Sequence, residues 1–452
     1  MSIFPTQTVA AVRHDDGTHR AKTADRFCIL GAGSSGLAVA KNFRELGIPF
    51  DCLERERELG GNWRYGNSCS RVCQSTRLIS SKRLTEYTDF PMPDDYPEHP
   101  SHELVWRYLR DYAVRFGIYT DIEFDTGIRW LEPLGESCWR VTLESGEQRQ
   151  YRGMVIANGH NWDPRWPTYP GEFAGTTLHS ADYKTPDVFA GRRVLVVGGG
   201  NSGCDIAVES ARHASATFHS MRRDYQFLPR YFQGKPIDQC GEGLLRWRVP
   251  VRLRRWAARR VIRSVFGELV GSPNSTGDHE FLETHPIINA WHPHLVASGS
   301  IGVKPDVAEL KSDRVRFVDG SEEQIDVIVF ATGYKLSFPF LDPQHLPWQG
   351  ERPRLYLNLF HPERDDLFVV GMIKPDSGQF GLVDYQAQLI GRYLQGLAQG
   401  KKSACQLRQE KREGSPVLNG GIQYVDSPRH FLEVEHFSYR RRLQRWIRRL
   451  AK

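Results

Sequence analysis

The chain has 452 residues, 40% of them hydrophobic and 25% charged, enough for two or three packed domains each with its own core. Its net charge of +6 is local: residues 246–263 hold eight Arg, residues 439–452 hold seven Arg or Lys, neither stretch has an acid, and the remainder is acidic, which excludes a broad nucleic-acid face. No apolar run approaches the roughly 20 residues of a bilayer crossing, and eight cysteines without zinc-type pairing point to a reducing cytoplasm and no metal centre.

Residues 1–24 are polar, lack the apolar core of a signal peptide and read as a flexible arm. The first patterned element is "RFCILGAGSSGLAVAKNFRELG", residues 26–47. An apolar run predicts a strand, Gly31-x-Gly33-x-x-Gly36 a tight turn, and Leu37, Ala40, Phe43 and Leu46 the core face of a helix. The first glycine permits the turn, the second admits a pyrophosphate, and the third lets helix and strand touch. Ser35 stands in the first helical turn, whose free N–H groups suit phosphate. A second strand, "PFDCLE", ends at Glu54, eighteen residues past Gly36, where a carboxylate would accept from a ribose diol. Gly60 and Gly61 follow, then Asn62 and Trp63.

The plan recurs. "RRVLVVGGGNSGCDIAVESA" is again strand, Gly198-x-Gly200-x-x-Gly203 and helix, with Asn201 and Ser202 in the turn. Each copy closes with a similar strand, "YRGMVIANGH" and "IDVIVFATGY", the latter carrying Thr332, Gly333 and Tyr334. Two Rossmann-like α/β domains of the two-domain flavoprotein type are expected. The copies differ where the second strand ends: Glu54 in the first, Arg222 and Arg223 in the second. An acid suits a free 2′-hydroxyl and arginine a 2′-phosphate, so the first site reads as FAD and the second as NADPH. The expected division gives residues 25–166 and 336–452 to FAD and 167–335 to NADPH, with a helical insert near 225–298.

The insert contains an arginine-rich helical pattern with Leu253, Ala257 and Val261 as apolar partners. It would either shape the substrate entrance or lie on an anionic membrane. The C-terminal "YRRRLQRWIRRLAK" puts Tyr439, Leu443, Trp446, Ile447 and Leu450 on one face. That face would dock on the protein itself, on a second copy as a homodimer, or peripherally on a membrane. "CSRVC" spaces Cys69 and Cys73 unlike a redox pair.

Taken together, "GAGSSG", "LERERELGGNWRY", "DFPMPDDYP", "FAGTTLHSADY", "GGGNSGCDIA" and "FATGY" stand in the order found in flavin-containing monooxygenases, which this chain resembles over about residues 25–400. Phe173, Gly175, His179 and Tyr183 match the fingerprint of that family; Baeyer–Villiger relatives usually carry Trp at the last position. The resemblance implies that NADPH reduces FAD, that a C4a-(hydro)peroxyflavin forms with O₂, and that a soft nitrogen or sulfur nucleophile is oxygenated. It also implies cofactor contacts for Asn62, Trp63, Asn201, His179 and Tyr183, with His179 as a hinge group beside NADP⁺. One departure is clear. Aligned on Ser81-Lys82, Ile79 takes the place of a family Asn beside the flavin, and isoleucine offers no hydrogen bond. Ser80, Ser81, Lys82 and Asn201 are therefore the catalytic candidates. Baeyer–Villiger oxidation of ketones, a largely uncoupled NADPH oxidase releasing hydrogen peroxide, and a flavin-binding sensor without turnover stay open beside the leading reading.

Overall fold

A computed structural model describes residues 23–222, 225–246, 249, 251–266, 286–424 and 430–452. Most of the expected N-terminal arm, Arg223 and residues 267–285 of the insert lie outside the described residues.

Two five-stranded sheets organise the chain, and every ladder in both is parallel. The first runs Leu367–Val369, Gly153–Ile156, Phe27–Leu30, Phe50–Leu53, Ile122–Glu123. The second runs Thr176–His179, Val327–Phe330, Arg193–Val197, Ala216–Ser220, Gly302–Lys304. In each, the glycine-turn strand is central, the strand bearing the acid or the arginine lies on one side, and the closing strand lies on the other. The central segments are short apolar runs, "GMVI", "RVLVV" and "VIVF", buried almost throughout, as parallel strands covered on both faces must be. Two Rossmann-like domains are thus built on one plan.

The edge strands show how the halves are threaded. After the second sheet the chain returns, and Leu367–Val369 joins the outer edge of the first. The crossover "FAGTTLHSADY" divides: Gly171–Phe173 pairs with Val307–Ser312, and Thr176–His179 becomes an edge strand of the second sheet. His179 therefore ends a strand instead of occupying a loop.

The C-terminal helix His436–Ala451 packs on the long helix Phe380–Ala398 of the first half. Tyr439, Leu443, Trp446, Ile447 and Leu450 are all buried in the core of that half. Tyr439 Oη donates to the Leu357 carbonyl at 2.6 Å, and Trp446 Nε1 donates to Tyr356 Oη at 3.2 Å. Docking on the protein itself consumes the apolar face on which a membrane contact would depend. Among the described residues no helix is long and apolar enough to cross a membrane. The insert helix Val251–Phe266 buries Ile262 and Phe266 and leaves Leu253 and Trp256 each 56% exposed. Its inner side, including Ala257, Ala258 and Ile262, borders the large cleft described next.

Candidate active site

The two glycine turns repeat each other at their first and third glycines. Gly31 and Gly198 have φ of +99° and +119°, and a Cβ there would meet the carbonyl oxygen of Ala157 at 2.9 Å or of Ala331 at 2.4 Å. At Gly36 and Gly203 a Cβ would stand 1.8 Å from the Gly31 or Gly198 oxygen. The protein's own packing thus explains the first and third glycines. It does not explain the second: Gly200 has nothing within 4 Å, and Gly33 faces only the Gly61 backbone. Gly33 and Gly200 are also the N-caps of helices Ser34–Glu45 and Asn201–His213, and neither helix has a side-chain cap. Their first N–H groups and dipoles remain for an anion. Ser35 lies against Gly371, and Ser202 lines the cleft.

Glu54, 6% exposed, accepts from Ala32 N at 2.6 Å and Glu56 N at 3.0 Å. Burial raises its carboxyl pKa more than these two bonds lower it. Each oxygen keeps a further lone pair, so the carboxylate is tied to the glycine turn and can still accept from a diol. Donor set, turn and helix end together fit an adenine dinucleotide at the first sheet.

A cleft of about 2400 Å³ is lined by residues of both halves. Asn62, Trp63, Ile79 and Ser80 line it from the first half; Gly198, Gly200, Asn201, Ser202, Arg222, Thr332, Gly333 and Tyr334 line it from the second. Asn62 Oδ1 accepts from Arg71 N at 2.7 Å, and Trp63 meets Phe380 edge to face at 6.3 Å. Asn201 Oδ1 accepts from Ile288 N at 3.0 Å, tying the insert to the start of the second glycine helix. Thr332 Oγ1 donates to the Arg165 carbonyl at 2.5 Å, and Tyr334 pairs with Pro164. Arg222 is exposed just past the strand Ala216–Ser220, and no ion pair among the described residues involves it.

The catalytic candidates do not stay together. Ser80 faces the cleft, its hydroxyl 2.7 Å from Thr85 Oγ1. Ser81 is fully buried away from the cleft, with its N–H donating to Asp238 Oδ2 at 2.7 Å. Lys82 Nζ donates to the carbonyls of Pro93, Asp94 and Tyr96 at 3.1, 2.9 and 2.7 Å. An ammonium has three donors, and Lys82 uses all of them to close the 82–96 loop. Neither Ser81 nor Lys82 lines the cleft. Ile79 is 38% exposed and lines the cleft, so an apolar side chain forms this part of its wall.

The crossover residues also separate. His179 is fully buried, accepts from Ala181 N at 3.1 Å through Nδ1, and lies between the rings of Trp166 and Tyr334. Burial holds its pKa below the usual imidazole range, and it sits behind the cleft wall. Tyr183 does reach the cleft wall; its ring stacks on Phe189 and its hydroxyl donates to Glu209 Oε2 at 2.7 Å. Glu209 belongs to the second glycine helix, so Tyr183 pins that helix to the crossover. Because Ser75 Oγ also donates to the same carboxylate oxygen, Tyr183→Phe is expected to cost about 1 kcal/mol, within the range of one hydrogen bond, read as a lowered thermal midpoint with full flavin content.

Three further cleft residues stand outside the candidates read from the sequence. Asp205 lies four residues after Asn201 on the same helix face, accepts from Asn289 Nδ2 at 2.7 Å, and its carboxyl is pushed up to about 6 by burial in the cleft wall. That i, i+4 spacing was the available signal. Asp376, accepting from His436 N at 2.8 Å, is pushed up to about 7, chiefly by burial and then by Glu435. Lys374 pairs with Glu433 at 3.2 Å. Cys69 and Cys73 form no disulfide.

A family model described as flavin-binding monooxygenase-like matches residues 24–423. Flavin-containing monooxygenase 5 of Rattus norvegicus is 32% identical over 443 residues, covering 91% of this chain and 80% of that protein. Flavin-containing monooxygenase 2 of Homo sapiens is 32% identical over 424 residues, covering 89% and 78%. Among solved structures, S-allyl-L-cysteine S-oxygenase from Allium sativum superposes with a TM-score of 0.64 at 20% identity, covering 93% of this chain and 88% of that one. An oxidised steroid monooxygenase bound to NADP gives 0.66 at 18% identity, covering 93% and 97%. Both structures share the fold described above.

Proposed function

Because the chain belongs to the flavin-binding monooxygenase-like family, we propose that it is an NADPH-dependent FAD monooxygenase acting on a soft nitrogen or sulfur nucleophile, an amine or a sulfide. The observation that carries this reading is the pair of matched glycine turns, one backed by Glu54 and the other, in the cleft wall, followed by Arg222. Residues 25–166 and 336–452 form the FAD half in this reading, and 167–335 the NADPH half.

When bound, FAD takes hydride from NADPH and activates O₂. The chain's part is to hold, orient and keep dry. Glu54 accepts from the FAD ribose, and the N-terminus of Ser34–Glu45 takes the FAD pyrophosphate. The N-terminus of Asn201–His213 does the same for NADPH, and Arg222 takes its 2′-phosphate. Asn62 and Trp63 border the reacting region, where Trp63 and Ile79 exclude water. Ile79 supplies no hydrogen bond to activated oxygen, and Ser80 Oγ, although near, is engaged with Thr85. Ile79 is also what favours a second reading, in which much of the NADPH consumed ends as hydrogen peroxide.

The test is NADPH consumption by the purified yellow protein under air, with amines, sulfides and ketones offered separately and peroxide counted. Oxygenated amine or sulfide supports the proposal; lactone or ester from ketones alone would replace it with Baeyer–Villiger chemistry. Absence of flavin reduction by NADPH would refute it and favour a sensor. Ile79→Asn is expected to lower peroxide released per NADPH by a factor of about 3 or more, as one added hydrogen bond of about 1 kcal/mol would do. An unchanged ratio would remove Ile79 from the coupling argument.

A further inference from the structure

We propose that Cys204, His219 and His292 form a buried site for one thiophilic transition-metal ion, Cu(I) or Zn(II), directly behind the second glycine turn. The residues come from three elements of the second half: helix Asn201–His213, strand Ala216–Ser220 and helix Trp291–Ala297. One donor atom of each lies within 4.8 Å of the other two. The side chains are 0%, 0% and 1% exposed, and Cys204 forms no disulfide.

The hydrogen bonds orient the set as ligands need. His219 Nε2 is 3.0 Å from the Gly198 oxygen, and a carbonyl only accepts, so Nε2 carries the proton. Nδ1 is left as an electron-pair donor, 2.8 Å from His292 Nε2. A metal-bound imidazole ordinarily gives its other N–H to a carbonyl in this way. With the pair bonded to each other, His292 Nδ1 is buried and has no hydrogen-bond partner among the described residues. An ion at His292 Nε2 puts the ring proton on Nδ1, so that buried N–H then takes a water as its partner.

The chemistry selects the ion. One thiolate and two imidazoles are soft or borderline donors, which favour copper and zinc over magnesium or calcium. Neither imidazole has a carboxylate or guanidinium among the groups acting on it. A thiolate with Cu(I) is neutral and with Zn(II) carries one positive charge, so a dry site favours Cu(I). Tetrahedral nitrogens at about 2.0–2.1 Å from a metal stand about 3.3 Å apart, so loading needs the rings to part by roughly half an ångström.

The full-length flavoprotein, stripped with chelator, is titrated against a chromophoric competitor with Zn²⁺ and, anaerobically, with Cu⁺. One equivalent of one ion is expected to bind. X-ray absorption at its edge should show one sulfur near about 2.3 Å and two nitrogens near about 2.0–2.1 Å. Cys204→Ala, or His292→Gln if the first variant does not fold, is expected to weaken binding by about 100-fold or more. No uptake, a shell of nitrogen and oxygen only, or equal uptake by either variant overturns the site. The absorption measurement uses the unmutated protein, so the proposal stays refutable even if both variants fail to fold.

Discussion

Gly203→Ala is expected to give a protein that is still yellow but that NADPH no longer reduces at a useful rate. The added Cβ would stand 1.8 Å from the Gly198 carbonyl oxygen and 3.3 Å from Ala331 Cβ. The first contact is with backbone, so no side-chain rotation relieves it, and the helix Asn201–His213 must back away from the strand Arg193–Val197. Overpacking of this kind costs about 1–3 kcal/mol or more. The same shift withdraws the free N–H groups of the helix, with Asn201 and Ser202, from the cleft they line. At a fixed subsaturating NADPH concentration, flavin reduction is expected to slow by about 100-fold, equivalent to about 2.7 kcal/mol of lost binding. The first glycine turn is untouched, so flavin content should stay near one per chain. Gly36→Ala provides the contrast, since its Cβ meets the Gly31 oxygen at the same 1.8 Å; it should purify without flavin. Anaerobic stopped-flow reduction together with flavin absorbance measures both variants. Reduction within a few-fold of the parent in Gly203→Ala, or loss of flavin from it, would overturn the assignment of the second turn to NADPH.

The fold was legible where a local pattern coincided with a packing requirement. The runs before Gly31 and Gly198 read as strands because parallel strands buried on both faces need unbroken apolar sequence. The duplicated order then led to two equivalent sheets. Leu367–Val369 escaped notice because three apolar residues without a motif look like any core segment; only the returning chain makes them an edge strand. The site was less legible for a related reason. Ser81 and Lys82 look chemically able, but the Ser81 hydroxyl is buried away from the cleft and the Lys82 ammonium is taken up by the carbonyls of residues 93–96, placements that sequence spacing does not reveal. His179 sits in a conspicuous motif, yet it ends a strand and is fully buried. For the C-terminal helix, periodicity gave the apolar face without its cover, and the cover is the helix Phe380–Ala398.

Arg222→Gln is expected to cut kcat/KM for NADPH by about 10–150-fold while leaving that for NADH within about 3-fold. Arg222 lies two residues past the strand Ala216–Ser220 and Glu54 one residue past its equivalent Phe50–Leu53, so the two sheets place opposite charges near equivalent strand ends. The guanidinium is exposed, borders the cleft, and is in no ion pair among the described residues, so its fork is available to a ligand. A charge-assisted bond to a 2′-phosphate is worth about 1.5–3 kcal/mol, which corresponds to the expected range. NADH carries a hydroxyl there, to which glutamine bonds about as well as arginine. A surface arginine with no ligand would make a different prediction, namely equal and small effects on both nucleotides. The measurement is therefore the ratio of the two specificity constants, determined at two ionic strengths. A loss for NADPH that shrinks at high salt points to general attraction of a multiply anionic ligand, because screening removes long-range steering first. A loss that persists at high salt places the phosphate in direct contact with Arg222, and an unchanged ratio would return the 2′-phosphate to other cleft residues, among which Tyr169 flanks this strand end.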